Sequence, residues 1–301
     1  MLNYKVDPKM IIYANTVKQV SHLKLAAEKG IQKVTFDCAA ELEKIKKHHP
    51  TAEVVLRIRF DAATSTLSLG EKYGCNPVTE APKLINLCKD MNMNLIGISF
   101  HVGTAATDCT VFEKALDAVG NLFDYAETIN MRLKFIDIGG GFIGSDMKLF
   151  DKISESINSA IERNFQSNDI EFIAEPGRYF VDTAFSLAAQ VILKRQSEDG
   201  KMFYFLNESY YMSFLIMLQI NMKLEFSTIK LSKTLREATK KLSTIWGCTC
   251  SSLDKIIADI EMPEIDIGDW IVFHNMGAYT MSATTNFNGF CNKNLFMLNI
   301  E

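Results

Sequence analysis

Apolar residues recur along the first half of the chain in two alternating rhythms. Short apolar runs at 9–14, 32–37, 53–59, 94–100, 133–138 and 170–174 have the length and β-branched content of buried strands. Between them, 17–29, 39–48, 80–92, 109–129 and 147–165 carry the apolar stripes of amphipathic helices. The first stripe is Val17, Val20, Leu23, Leu25, Ala26 and Ala27, ended by Gly30; Pro50 closes the second helix. Six strands, each but the last followed by a helix, predict a parallel sheet with right-handed crossovers. After Arg178 the rhythm changes, and 186–193, 202–206, 269–273 and 295–300 read as strands without regular helices between them. The expected organisation is an α/β domain over 1–180 and a mostly-β domain over 181–301.

The run from Lys134 to Gly144 passes from a buried-strand pattern into Gly139, Gly140 and Gly141. Glycines at the end of a strand let backbone N–H groups converge on an anion with no Cβ in the way, although a tight turn into the next helix would look the same. Two more fragments sit where strands end: Ser99-Phe100-His101-Val102-Gly103-Thr104 and Ala174-Glu175-Pro176-Gly177-Arg178-Tyr179. Chemistry at the ends of the last three strands predicts a (β/α)8 TIM-type barrel whose phosphate site follows strands seven and eight. Such a barrel needs two more strands ahead of residue 9, so the expectation is a barrel lacking its first two, with two open edges to be covered.

Composition narrows the function classes. With 301 residues, 48% of them hydrophobic, the chain can bury a large core. A net charge of -4 gives no basic footprint for nucleic acid or an anionic membrane. No leader-like start or membrane-length apolar run is visible, so a cytoplasmic protein is expected. Seven scattered cysteines imply free thiols in a reducing compartment. Cys248-x-Cys250 lacks a second pair, and no metal site is expected.

Six fragments in order carry a resemblance: Tyr13-Ala14-Asn15-x-x-Lys18-Gln19-Val20, Ser99-Phe100-His101-Val102-Gly103, Asp137-Ile138-Gly139-Gly140-Gly141-Phe142, Glu175-Pro176-Gly177-Arg178-Tyr179, Ile245-Trp246-Gly247-x-Thr249-Cys250 and Asn275-Met276-Gly277-Ala278-Tyr279-Thr280. With them the chain resembles the eukaryotic ornithine decarboxylase and antizyme inhibitor family, the fold type III pyridoxal-phosphate decarboxylases, without that family's N-terminal portion. The resemblance implies that Thr104, Gly139, Gly140, Gly141, Arg178 and Tyr279 hold the phosphate of pyridoxal 5′-phosphate, with Thr104 in place of the usual serine. It implies that Glu175 faces the pyridine nitrogen and that His101 stacks on the ring. Cys250, contributed across the subunit interface in family dimers, would help protonate the product. A homodimer or a heterodimer with a family member is implied.

Several positions depart from the family. Its Schiff-base lysine lies on the first barrel strand, and no lysine here stands in that motif, so the 301-residue form is expected not to turn over efficiently by itself. Ile220 and Ser251 stand where two acidic residues receive the distal amine of ornithine, and Ser209 and Met212 replace glycines around Tyr211. An ammonium buried without a carboxylate is costly, so Tyr211, Ile220 and Ser251 are expected to form a pocket for an apolar amino acid instead. Ser68 replaces an arginine near the cofactor, and turnover through an extended C-terminal tail is not expected. Two functions stay open: a decarboxylase homologue of amine metabolism with altered specificity, or a catalytically dead regulator that binds antizyme through the 18–41 region. For the second, Lys18, Lys24, Lys29 and Lys33 are contact candidates unless they form only a solvated helix face.

Overall fold

The computed structural model describes residues 1–61, 70–165, 169–231, 239–290 and 296–297. It divides into two compact units, Met1–Gly177 and Arg178–Glu301.

In the first unit the strands are β1 (Ile12–Tyr13), β2 (Lys33–Phe36), β3 (Glu53–Arg57), β4 (Asn94–Ser99), β5 (Phe135–Asp137) and β6 (Glu171–Ile173). They form one parallel sheet in sequence order, with both edge strands open among the described residues. The helices are α1 (Val20–Glu28), α2 (Ala39–His48), α3 (Ala81–Asp90), α4 (Thr110–Thr128) and α5 (Met147–Asn164). Each starts and stops for local reasons. Pro82 sits in the first turn of α3, where its missing N–H has no helical partner to lose. Asp146 caps α5 by accepting the Leu149 N–H at 3.0 Å. Glu41 lies in the first turn of α2 and Lys46, Lys47 and His48 in its last, matching the helix dipole.

Near the carboxyl ends of the strands, apolar and polar positions alternate. Val34, Phe36, Val54, Leu56, Ile98 and Ile136 are buried apolar positions, and between them come Thr35, Arg57, Ser99 and Asp137, which line a common polar cleft. Arg57, Ser99, Asp137 and Ile173 are register partners across β3 to β6. One level below, Gly97 pairs with Phe135, and a Cβ there would meet the Phe135 carbonyl oxygen at 1.8 Å. Lys33, at the start of β2, lies 4.8 Å from the Phe135 ring centre and pairs with Glu171 of β6 at 3.0 Å, so the sheet curls. These features form the C-terminal part of an α/β barrel, as the alternation predicted.

In the second unit a short helix α6 (Gly177–Val181) leads in from the first. Strands β7 (Leu187–Gln196), β8 (Met202–Leu206), β9 (Phe226–Ile229), β10 (Lys240–Trp246), β11 (Lys255–Pro263) and β12 (Trp270–Phe273) form a mixed sheet in the order β11-β10-β8-β7-β12-β9, with helix α7 (Leu215–Gln219) after β8. Tyr204, Leu206, Phe214, Ile245, Ile271 and Phe273 are core residues with no exposed surface. Strands β7, β8 and β12 match their sequence expectations. Strands β9, β10 and β11 and helix α7 were not foreseen, because half-exposed segments such as β11 interleave charges with apolar residues. The strand expected at 295–300 and the substitution at Ser68 lie outside the described residues.

Candidate functional site

In the first unit three loops leave the carboxyl ends of β4, β5 and β6 and are stitched together by backbone. Glu175 N donates to Gly139 O at 2.7 Å, and Ala106 N donates to Gly141 O at 3.2 Å. The three glycines are sterically required. Gly139 has φ +64° and Gly141 φ +110°, a region side chains rarely enter. A Cβ on Gly140 would lie 2.7 Å from the Glu175 carbonyl and 3.1 Å from His101 Nε2; one on Gly141 would lie 2.7 Å from the Gly103 carbonyl. The turn thus presents bare backbone, with Asp137 Oδ1 accepting the Gly139 N–H at 2.9 Å. Thr104 follows Gly103 in the neighbouring loop.

Beside the glycines is a cleft lined by Ala14, Thr35, Arg57, Ser99, Phe100, His101, Asp137 and Glu175. Asp137 is 2% exposed; burial, and then the adjacent Glu175, push its carboxyl up to about 7, against the pull of the Gly139 amide and Arg57. The two carboxyls share a hydrogen bond, with the Arg57 guanidinium nearby. His101 Nδ1 receives the Gly103 N–H at 3.0 Å. An amide can only donate, so the neutral ring carries its proton on Nε2, the nitrogen beside Gly140. Burial, and then Arg57, lower the His101 pKa to about 4, which keeps the ring neutral near pH 7. It is a fixed donor, not a base.

In the second unit Arg178 is 4% exposed. Its Nη1 donates to Asp182 at 3.0 Å, whereas buried Nε and Nη2 have no hydrogen-bond partner in the protein. The Tyr279 ring lies 5.3 Å from the guanidinium carbon, on a loop that needs Gly277 because a Cβ there would strike the Val181 carbonyl. A buried guanidinium with free donors is a natural seat for an anionic oxygen. Within the first unit, the glycine turn without Cβ atoms and the Glu175 carboxyl therefore fit a phosphorylated pyridine such as pyridoxal 5′-phosphate.

Also in this unit, Tyr211 OH and Ser251 Oγ are 2.9 Å apart, and the Tyr211 ring packs on Phe287 with centres 4.4 Å apart. Cys250 is exposed, and its N–H donates to Asn288 Oδ1 at 3.2 Å. Ile220 is buried at the end of α7. One carboxylate of this region, Asp254, is 1% exposed and saturated: Ser209 Oγ, Tyr210 N, Thr249 N and Thr249 Oγ1 all donate to it. Glu208, 2% exposed, is another and accepts from Ser209 N at 3.0 Å.

Two of the four lysines singled out for a partner surface do not face one. Lys18 precedes α1; its side chain is fully buried, with Nζ donating to the Asn15, Thr16 and Thr35 carbonyls and paired with Glu41 at 3.0 Å. Lys33 is turned toward Phe135 and Glu171. Lys24 and Lys29 are exposed. Sequence reading gave no role to Arg57, Thr35, Ser99 or Asp254. For Arg57 and Ser99 the signal was present, since both end their strands level with Asp137; Thr35 lies on the same face one pair lower, level with Val55.

Residues 1–182 match the family described as pyridoxal-dependent decarboxylase, pyridoxal binding domain. Antizyme inhibitor 2 of Xenopus laevis is 39% identical, over 95% of this chain and 65% of that protein. Ornithine decarboxylase of Rattus norvegicus is 38% identical, over 97% of this chain and 66% of its own length. The chain thus spans about two thirds or slightly less of these relatives. Among solved structures, the arginine decarboxylase of Paramecium bursaria Chlorella virus, bound to agmatine, superposes with a TM-score of 0.89 at 36% identity, covering 96% of this chain and 77% of that one.

Proposed function

The chain belongs to the ornithine decarboxylase and antizyme inhibitor family of pyridoxal-dependent decarboxylases, and from that premise we infer a decarboxylase homologue of amine metabolism whose substrate wall has turned away from ornithine. Pyridoxal 5′-phosphate, when bound, supplies the electron sink for loss of CO2. The chain's residues supply its seat. Gly139, Gly140, Gly141 and Thr104 offer donors to the phosphate, and Arg178 and Tyr279 keep the phosphate roles implied by the resemblance. Glu175 would present its carboxyl to the pyridine nitrogen, with the Asp137 carboxyl beside it. His101 would face the ring as a neutral Nε2–H donor, and Cys250, reaching the site across a dimer interface as in the family, would help return a proton to product.

The observation that carries the altered specificity is the Tyr211–Ser251 hydroxyl pair, 2.9 Å apart, with the neighbouring carboxylates Asp254 and Glu208 already accepting hydrogen bonds from the protein. Neutral hydroxyls leave a cationic side chain without its counter-ion, so an aliphatic amino acid is favoured over ornithine by several kcal/mol at most. The described residues lining the first unit's cleft include no lysine. Turnover by the 301-residue chain alone is therefore expected to be negligible, and the test is made on a form extended upstream with a lysine-bearing strand. That form should release CO2 from leucine-like substrates and not from ornithine; the reverse preference would overturn the reading. For the chain alone, an absorbance band that is fixed by borohydride onto one of its lysines would do the same to the predicted inactivity.

A second reading is favoured by one surface. Lys24 and Lys29 on and beside α1 are exposed together with Val17, Val20 and Leu25, a charged and apolar mixture suited to a protein partner. On this reading the chain titrates antizyme. Inertness toward every amino acid together with antizyme capture that Lys24→Glu abolishes would establish it. Among the described residues no helix is long and apolar enough to cross a membrane. A cytoplasmic dimer, with itself or a family member, is the setting proposed for either role.

A further inference from the structure

Within the barrel mouth two hydroxyls have nowhere to donate inside the protein. Thr35 is 1% exposed and Ser99 4%, and neither Thr35 Oγ1 nor Ser99 Oγ has a hydrogen-bond partner among protein groups. They come from different strands, β2 and β4, and both line the same cleft with Arg57, Asp137 and Glu175. A buried hydroxyl without a partner is costly, and two of them around one space are rarely accidental. The free space there is about 10 Å3, close to what one water requires. Its lining mixes charges of both signs. The Arg57 guanidinium opposes a cation, while the Asp137 and Glu175 carboxyls oppose an anion. What fits is a small neutral molecule that can both donate and accept.

We propose that this chamber holds a resident water, bound by Thr35 Oγ1 and Ser99 Oγ and in contact with the Asp137–Glu175 carboxyl pair and Arg57. Such a water has the two to four polar partners that a buried water needs. It also gives the carboxyl pair a route for exchanging its shared proton without opening the barrel. A proton leaves Asp137 for the water while the water passes one of its own to the Glu175 carboxylate, so the proton changes carboxyls and no other bond changes. Only this relay rests on the proposed role of Glu175. The hydration itself stands without it.

The test uses the 301-residue chain and does not involve cofactor or decarboxylation, so its failure is separate from failure of the proposed function. A high-resolution crystal structure should show a water peak within hydrogen-bond distance of both hydroxyls. A dry chamber, or hydroxyls satisfied by protein groups, overturns the proposal. Thr35→Val and Ser99→Ala give an independent readout with a distinguishing sign. If the hydroxyls anchor a water, each change lowers Tm and the pair together expels the water; if they are simply orphaned, removing them raises Tm. Should Thr35→Val fail to fold, Thr35→Ser keeps the hydroxyl and must keep the density, and its loss would count against the site.

Discussion

Asp254 offers the sharpest test of how the second unit is held. Its buried carboxylate accepts from Ser209 Oγ at 3.0 Å, Tyr210 N at 2.7 Å, Thr249 N at 2.9 Å and Thr249 Oγ1 at 2.6 Å. Two segments, one bearing Tyr211 and the other Cys250 and Ser251, are thereby tied to one side chain. Gly247 makes the room: a Cβ there would lie 2.1 Å from Asp254 Oδ1. Asp254→Ala leaves four donors unpaired. At about 1 kcal/mol each after water refills part of the space, it should cost roughly 4 kcal/mol. Gly247→Ala alone forces a methyl group against the carboxylate and should cost about 2–3 kcal/mol. With the carboxylate gone the same methyl has space, so the double variant should cost less than the sum by about 2 kcal/mol. The chain's 2 tryptophans, Trp246 and Trp270, both lie in this unit, so urea unfolding followed by tryptophan fluorescence reads it selectively. Strict additivity, or an Asp254→Ala cost below about 1 kcal/mol, would refute the account.

Other predictions concern the first unit. Gly140→Val should abolish binding of pyridoxal 5′-phosphate measured by spectral titration, since its Cβ meets the Glu175 carbonyl; unchanged affinity would reduce the glycines to a turn. Lys18→Met strips a buried carboxylate of a partner and should cost about 3–5 kcal/mol, whereas Lys24→Ala should stay within about 0.5 kcal/mol, as judged by thermal unfolding. The pH profile should split by variant. His101, lowered to about 4, binds fewer protons folded than unfolded between about pH 4 and 6.5, so its contribution grows as pH rises through that window. Asp137, raised to about 7, binds more when folded, so its contribution is present at acid pH and is lost as pH rises toward 7. Asp137→Asn should therefore leave stability that climbs between about pH 4.5 and 6.5, and His101→Gln stability that falls, each by up to about 1.4 kcal/mol per pH unit, followed by circular dichroism at the helix band. Matching slopes in the two variants would contradict both assignments.

The division between what was legible and what was not follows the range of the forces. Apolar spacing is a local property, so the βα alternation was readable: α2 occupies Ala39–His48 as its stripe predicted, and β8 Met202–Leu206 likewise. The glycine turn was readable too, because three glycines ending an apolar run have few other uses, and its meaning sharpened when added Cβ atoms were found to collide with the carbonyls of Phe100, Glu175 and Gly103. Charge was legible only as charge. Lys18 and Lys24 look alike along the chain, yet one is buried against Glu41 and three carbonyls while the other is exposed, a distinction made by residues up to 23 positions away on β2 and α2. The polar layer of Arg57, Ser99 and Asp137 likewise exists only once parallel register brings three strands level. The sequence by itself determined the strands and helices of the first unit and the bare glycine turn, because each is specified within a few residues. Tertiary structure decided which side chains meet in the barrel mouth and which carboxylates are already saturated, because curling a sheet sets distances that no spacing along the chain encodes.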